Sequence, residues 1–155
     1  MALAISLLLS VPAAAADDAD EAYRAGDYAT ALGITMEQAE LGLDFAQFNL
    51  GLMYAKGHGL PQDYARAVNW YQKAATQGFA SAQLNLGVMY YKGQGVLPDH
   101  VQAYMWFYLA ASRFTVTEKE NRGRAAHNRD LVASKMTSEQ IVEAQRMARD
   151  WKSSR

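Results

Sequence analysis

The chain has 155 residues, no cysteine, and 15 lysines and arginines against 16 aspartates and glutamates, for a formal net charge of -1. Half of its residues are apolar and 20% are charged, a composition typical of one globular domain and unlike that of a disordered or collagen-like chain. The absence of cysteine excludes a disulfide framework, a thiol nucleophile and a cysteine-based zinc site, and the balanced charge argues against nucleic-acid binding.

Residues 1–16 have the pattern of a secretory signal peptide. An apolar run ends at Val11, four alanines follow Pro12, and acidic residues begin at Asp17. The run is shorter than the roughly 20 residues of a membrane span, and the alanines supply a small-residue cleavage site. No lysine or arginine precedes it, which leaves open a start upstream of Met1. We expect cleavage after Ala16 and export, most simply to a bacterial periplasm; the alternative is an apolar helix packed on the domain.

A period of 36 residues organises the chain from residue 17 to residue 114. Residues 46–75 and 82–111 align without a gap and are identical at 15 of 30 positions, where chance gives about two. The same shift relates Asp63-Tyr64-Ala65 to Asp27-Tyr28-Ala29. The sequence therefore predicts a degenerate repeat over 17–45, whose first helix is cut short at Gly26, and full repeats over 46–81 and 82–114.

Each full repeat is predicted to form two antiparallel helices. Apolar and small residues share one face of the first helix, glycines end it, and Asp63 or Asp99 caps the second helix. The apolar stripe of the second helix runs through Ala67, either Trp70 or Tyr71, and Ala74. We expect the glycine inside the first helix to allow close helix approach and the tryptophan to fill the space between layers. The repeat positions are Leu50, Gly51, Tyr54, Gly57, Gly59 and Trp70, then Leu86, Gly87, Tyr90, Gly93, Gly95 and Trp106.

Two capping helices are predicted over residues 115–155. Thr117 with Glu120, and Thr137 with Gln140, have the spacing of capping boxes. The last helix carries a narrow apolar stripe ending at Trp151, which favours a cap on the repeats over a membrane-surface helix. Residues 17–112 contain 5 basic and 10 acidic residues, net -5, whereas 113–155 contain 10 and 6, net +4. We interpret these charges as solvated faces.

Both full repeats contain A-Q-x-N-L-G-x-M-Y-x-K-G-x-G, followed by D-x-x-x-A-x-x-W-[YF]-x-x-A-A. This pattern resembles the Sel-one-like (Sel1-like) repeat of the tetratricopeptide-like helical repeats. The resemblance implies an all-α fold, a short right-handed α-solenoid of antiparallel helix pairs, used as a protein-interaction scaffold. The residues indicate the same architecture, because each helix pair has apolar faces that only a neighbouring pair can bury.

No motif in the sequence predicts catalysis, a metal site or a cofactor. His58 and His100 occupy non-equivalent repeat positions, no serine lies in a G-x-S-x-G elbow, and the loop glycines lack the context of a phosphate loop. An expected role as N-terminal helix caps explains why Asp63 and Asp99 recur at the same repeat position, without a catalytic role. The alternative is a cell-wall or β-lactam hydrolase, since some cysteine-rich relatives are linked to β-lactam binding, but their cysteines are absent here.

We predict a non-catalytic adaptor or regulator that captures another protein or peptide, with no nucleic-acid partner and no stable membrane insertion after signal cleavage. A second apolar stripe on the first helices, which lines the concave groove in related superhelices, is the candidate partner site. It comprises Phe48, Leu52, Ala55, Lys56, Leu84, Val88, Tyr91 and Lys92. Two alternatives remain open: the terminal helices cover this face, or the protein's own assembly fills the groove.

Overall fold

The computed structural model describes residues 13–153, and the side-chain surroundings of residues 17–152. Within this range there are eight α-helices, one 3-10 turn (Val116–Glu118) and no strand, which confirms the predicted all-α solenoid. The helices are α1 (Ala13–Arg24), α2 (Tyr28–Glu40), α3 (Asp44–Lys56), α4 (Tyr64–Thr76), α5 (Ala80–Lys92), α6 (His100–Arg113), α7 (Lys119–Ala133) and α8 (Ser138–Ser153). Of the predicted signal peptide, residues 1–12 lie outside the described range, and the remaining four form the first turn of α1.

The helices pack as consecutive antiparallel pairs. The pairs are α1 with α2, α3 with α4, and α5 with α6, and the second helix of each pair also packs on the first helix of the next. Helix α7 packs on α6, in the place that the first helix of a further repeat would take. Helix α8 then returns to α6 as well. The solenoid therefore buries its apolar faces between neighbours along the chain.

The glycine inside each first helix faces a large aromatic ring of the second helix. A Cβ atom on Gly51 would lie 2.7 Å from the Tyr71 ring, and one on Gly87 would lie 2.6 Å from the Phe107 ring. Tyr71 and Phe107 fill the space beside these glycines, because each lies one residue beyond the tryptophan, about 100° around the helix axis. The tryptophans pack elsewhere: Trp106 is buried in the core, and Trp70 is partly buried against the same cluster.

The buried phenol of Tyr71 makes the stability of the fold sensitive to alkaline pH. Burial raises the pKa of Tyr71 to about 12, although a hydrogen bond with the Asn85 side chain opposes this shift. The unfolded chain ionises this phenol near its ordinary pKa of 10.0, so deprotonation favours unfolding as the pH rises from 10 to 12. Two pKa units correspond to about 3 kcal/mol of stability lost over that window.

We predict that Tyr71→Phe removes this part of the alkaline destabilisation. The free energy of unfolding of the variant should fall less between pH 9 and pH 12 than that of the parent, by up to about 3 kcal/mol. Phenylalanine is compatible with the position, because Phe107 occupies it in the next repeat. Urea unfolding followed by circular dichroism at several pH values measures the difference. Parallel pH profiles for the two proteins would contradict the prediction.

The glutamine of the A-Q motif ties each repeat to the one before it. The side-chain nitrogen Nε2 of Gln47 donates to the Ala39 carbonyl at 3.3 Å, and that of Gln83 donates to the Ala75 carbonyl at 3.1 Å. Both acceptors lie in the last turn of the preceding second helix. The motif therefore satisfies a helix-end carbonyl while it fixes the start of the next helix.

Side-chain caps begin the second helix of every repeat. Asp27, Asp63 and Asp99 accept hydrogen bonds from backbone amides three residues later, at 3.2, 2.9 and 3.0 Å. These bonds confirm the predicted cap role of Asp63 and Asp99.

One of the two predicted capping boxes is confirmed. In the predicted pair, Thr137 and Gln140 exchange hydrogen bonds of 2.9 and 3.2 Å. The box predicted for Thr117 is wrong, because a 3-10 turn precedes α7 and the reciprocal pair is Thr115 with Glu118.

Helix α8 covers one face of α6, whereas the equivalent face of α4 is exposed to solvent. Met105 and Leu109 are buried under α8, whereas the equivalent positions of α4, 36 residues earlier, are the exposed Asn69 and Lys73. The Trp151 ring of α8 packs edge-on against Trp106 with 6.2 Å between centroids. These repeat positions are therefore apolar in α6, where α8 covers them, and polar in α4, where solvent does.

Candidate functional site

Two of the predicted groove residues lie between repeats. The ring centroid of Phe48 is 5.8 Å from that of Tyr71 and 5.2 Å from that of Phe79 at the start of α5. Leu84, at the equivalent position of the next repeat, is buried in a cluster that includes Phe107 and Ala125. The expectation that Leu84 lines an open groove therefore does not hold in this structure, because α6 and α7 cover it.

The turn that follows α7 also reaches Tyr91. The Lys135 ammonium donates to the Tyr91 hydroxyl at 2.6 Å and lies 4.9 Å from the ring centroid. The half-buried Val88 packs in the same cluster as Leu84. In the second full repeat, α7 and the turn after it thus cover much of the predicted face.

The uncovered part of the predicted groove lies in the first full repeat and on the exposed ends of α3 and α5. Lys56 and Lys92 are exposed, while Leu52 and Ala55 are half-buried. Leu52 borders a cleft of about 40 Å³ between α1 and α3, which we call the α1–α3 cleft. Its lining residues are Ala19, Asp20 and Tyr23 of α1, Thr35 of α2, and Asn49, Leu52 and Met53 of α3.

The α1–α3 cleft has a clear origin in the repeat. Thr35 occupies the position that Tyr71 and Phe107 take in the two full repeats, 36 and 72 residues later. Those rings pack against Gly51 and Gly87 and fill the space beside the first helix. A threonine is too small to do so, so a cleft remains. The substitution was visible in the sequence register, and sequence reasoning missed it.

An aromatic cluster next to the cleft fixes α1 to the loop between α3 and α4. The Tyr23 hydroxyl and His58 Nδ1 are hydrogen-bonded at 2.8 Å, and the His58 ring stacks on Tyr28 with 4.4 Å between centroids. These contacts give His58 a structural role. In the described residues, no group of three or more histidines, aspartates and glutamates is arranged to hold a metal ion.

Acidic side chains border the cleft on the α1 side. Asp17, Asp20 and Glu21 share a shallow depression with one basic residue, Arg24. Arg24 pairs with Asp20 at 3.7 Å, but both side chains are more than half exposed, so the pair is weak. None of the described helices combines the length and the apolar content of a membrane span.

Comparison with known proteins identifies the repeat. Residues 44–79 and 80–113 each match the family model described as the Sel1 repeat. The chain is a Sel1-repeat protein. Such proteins are generally protein-interaction scaffolds and are typically non-catalytic. A search of curated proteins found no match.

Two solved structures resemble this Sel1-repeat protein. One is a protective antigen present in uropathogenic Escherichia coli strains and displaying an SLR fold, with a TM-score of 0.80 and 31% identity over 89% of this chain. The other is a Sel1 repeat protein from Oxalobacter formigenes, with a TM-score of 0.61 and 36% identity over 68% of this chain. The matches cover 29% and 43% of those two chains, so the present chain spans less than half the length of either.

Proposed function

We propose that this Sel1-repeat protein is a non-catalytic adaptor or regulator that captures a peptide or protein segment along its first helices, α1, α3 and α5. The observation that carries the proposal is the α1–α3 cleft, because it is a partly enclosed space between two first helices, beside the half-buried Leu52. A cleft on rigid helices suits a preformed binding site. Lys56 and Lys92 extend the surface with exposed cations one repeat apart.

The proposed place of action is the bacterial envelope. Its support is the signal-peptide pattern of residues 1–16. The Sel1-repeat neighbour described as a protective antigen of uropathogenic Escherichia coli is consistent with such a role. Edman sequencing of the mature protein purified from the envelope fraction tests this: an N-terminus at Asp17 supports export, and an intact Met1 contradicts it.

Site-specific photocrosslinking tests the partner surface. A photoreactive amino acid is placed at Lys56 or at Lys92, and in a control protein at Asn69, which is exposed on α4 away from these helices. We expect crosslinked partners from envelope extracts, identified by mass spectrometry, at Lys56 and Lys92 and not at Asn69. Identical crosslinked products at all three positions, or no crosslinked product at the two lysines, would contradict the proposal.

Charge reversal gives a second, quantitative test. We predict that Lys56→Glu with Lys92→Glu weakens capture of the crosslinked partner about tenfold or more, because two attractive charges become repulsive. Helicity should not change, since both side chains are exposed. The matched control is Lys119→Glu with Arg124→Glu, the same charge change at exposed positions of α7. Equal loss of capture in both double variants would indicate a nonspecific effect of net charge.

A further inference from the structure

We infer that the α1–α3 cleft binds an aliphatic side chain of the partner that has basic residues next to it on the α1 side. This inference rests on the proposed function and names the chemistry of the segment captured. The cleft exists because Thr35 replaces the ring that Tyr71 and Phe107 supply in the full repeats. In the full repeats, an aromatic ring of the chain itself fills this space. Between α1 and α3, a side chain of the partner would fill it instead.

The size and lining of the cleft select the anchoring side chain. Its walls include Ala19, Leu52 and Met53, and its volume is about 40 Å³. That space is smaller than the benzene-sized cavities of roughly 150 Å³ found in engineered cores. A branched aliphatic group such as leucine or valine therefore fits better than an aromatic ring. Burial of its methyl groups supplies the attraction.

The charge around the cleft selects the flanking residues. Asp20 belongs both to the cleft and to the acidic depression formed with Asp17 and Glu21. Over residues 17–43 the chain carries seven acidic side chains and one basic one, Arg24, for a net charge of -6. Lys56, one turn beyond Leu52, is the basic group on the α3 side, so the partner segment is expected to be basic beside α1 and acidic where it reaches Lys56 and Lys92. The α1 rim carries three carboxylates and only one basic group, Arg24, so its net negative charge favours a cationic segment there.

Nuclear magnetic resonance titration of the full chain tests this inference with defined probes. The first probe is a blocked pentapeptide with a leucine between two lysines and glycine at both ends. In the other probes, alanine or phenylalanine replaces the leucine, or glutamates replace the lysines. We expect the leucine-lysine peptide to shift the methyl signals of Ala19, Thr35 and Leu52, and to leave that of the exposed Val142 unchanged. The alanine peptide should bind more weakly because it buries fewer methyl groups, and the phenylalanine peptide because its ring exceeds the cleft. The glutamate peptide should bind about threefold more weakly, or more weakly still, since each exposed ion pair that it loses contributes up to about 1 kcal/mol.

Substitutions at the floor of the cleft separate this site from others. Thr35→Leu fills the cleft and should abolish the shifts, whereas Thr30→Leu, the same change on the exposed face of α2, should not. Thr35→Ala enlarges the cleft and should favour the phenylalanine peptide over the leucine peptide. Asp20→Asn should weaken binding about threefold, and Glu37→Gln, an equal charge change on α2, should have no effect.

Several outcomes would overturn the inference. They are equal binding of the lysine and glutamate peptides, shifts that persist in Thr35→Leu, and cleft signals that move with protein concentration alone, which would indicate a second copy in the cleft. The proposed function and this inference are rejected by different results. Loss of peptide binding while Lys56 and Lys92 still crosslink rejects only the anchor, whereas loss of the crosslinks while the peptide still binds rejects the lysine surface.

Discussion

Gly95→Ala is expected to lower the free energy of unfolding by about 4 kcal/mol, one of the largest effects of a single methyl group in this chain. Gly95 has φ of +71°, a conformation that costs an alanine about 1–2 kcal/mol. Its added Cβ would also fall on the Tyr64 carbonyl group and lie 2.6 Å from the Ala65 amide nitrogen. Both atoms belong to the first turn of α4, so they cannot move aside as a flexible side chain would.

The matched control for this variant is Gly42→Ala. Gly42 also has a positive φ, +90°, but an added Cβ would meet no atom within 4 Å. This control should therefore lose only the backbone term of about 1–2 kcal/mol. Urea unfolding of both variants, followed by circular dichroism, measures the difference. Equal losses would mean that the contact between the loop and the preceding repeat adds nothing to stability.

The same comparison explains the second glycine of the K-G-x-G motif. Gly57 and Gly93 end their helices in the left-handed conformation, with φ of 70° and 66°. The glycine two residues later instead brings the loop onto the start of the preceding second helix. At Gly59, an added Cβ would lie 2.7 Å from the Tyr28 carbonyl oxygen. The first glycine of the motif is therefore required by its left-handed backbone conformation, and the second by its close contact with the preceding helix.

Much of the fold could be predicted from the sequence because the determining contacts are local or repeat at a fixed distance. The period of 36 residues, the capping aspartates and the helix-ending glycines each act within one helix pair. The choice between Trp70 and Tyr71 as the inner ring could not be predicted in this way. The two residues are adjacent in the helix, and which one is buried depends on the neighbouring helices. Helix α8 buries Trp106, whereas Trp70 stays half-exposed with Lys73 over its ring.

The candidate site was predictable only in part, for a related reason. The exposure of Lys56 and Lys92 follows from their place at the ends of the first helices. The burial of Leu84 and the Lys135 contact at Tyr91 depend on α7, which no repeat pattern places. The α1–α3 cleft depends on one residue, Thr35, and is readable from the 36-residue register once the role of Tyr71 is known.

Ala144→Glu is expected to detach α8 from the repeats while α3 to α6 stay folded. Ala144 is fully buried in the cluster that contains Tyr104 and Ile141. An unpaired carboxylate there would cost about 3–5 kcal/mol if α8 stayed in place. Since α8 packs chiefly on α6, the chain avoids this cost by releasing the helix. A free helix of 16 residues is marginal in water, so helicity should fall by about that length.

The three tryptophans make this release measurable, and an exposed neighbour supplies the control. Release of α8 separates Trp151 from Trp106, so the fluorescence maximum should move to longer wavelength and α8 amides should exchange rapidly. Val142→Glu introduces the same charge in the same helix, at a side chain that is 61% exposed, and should change neither signal. Loss of amide protection throughout α3 to α6 in Ala144→Glu would contradict local release. It would mean instead that Met105 and Leu109 need their cover for the repeats to fold, because solenoid stability is the sum of repeat and interface contributions.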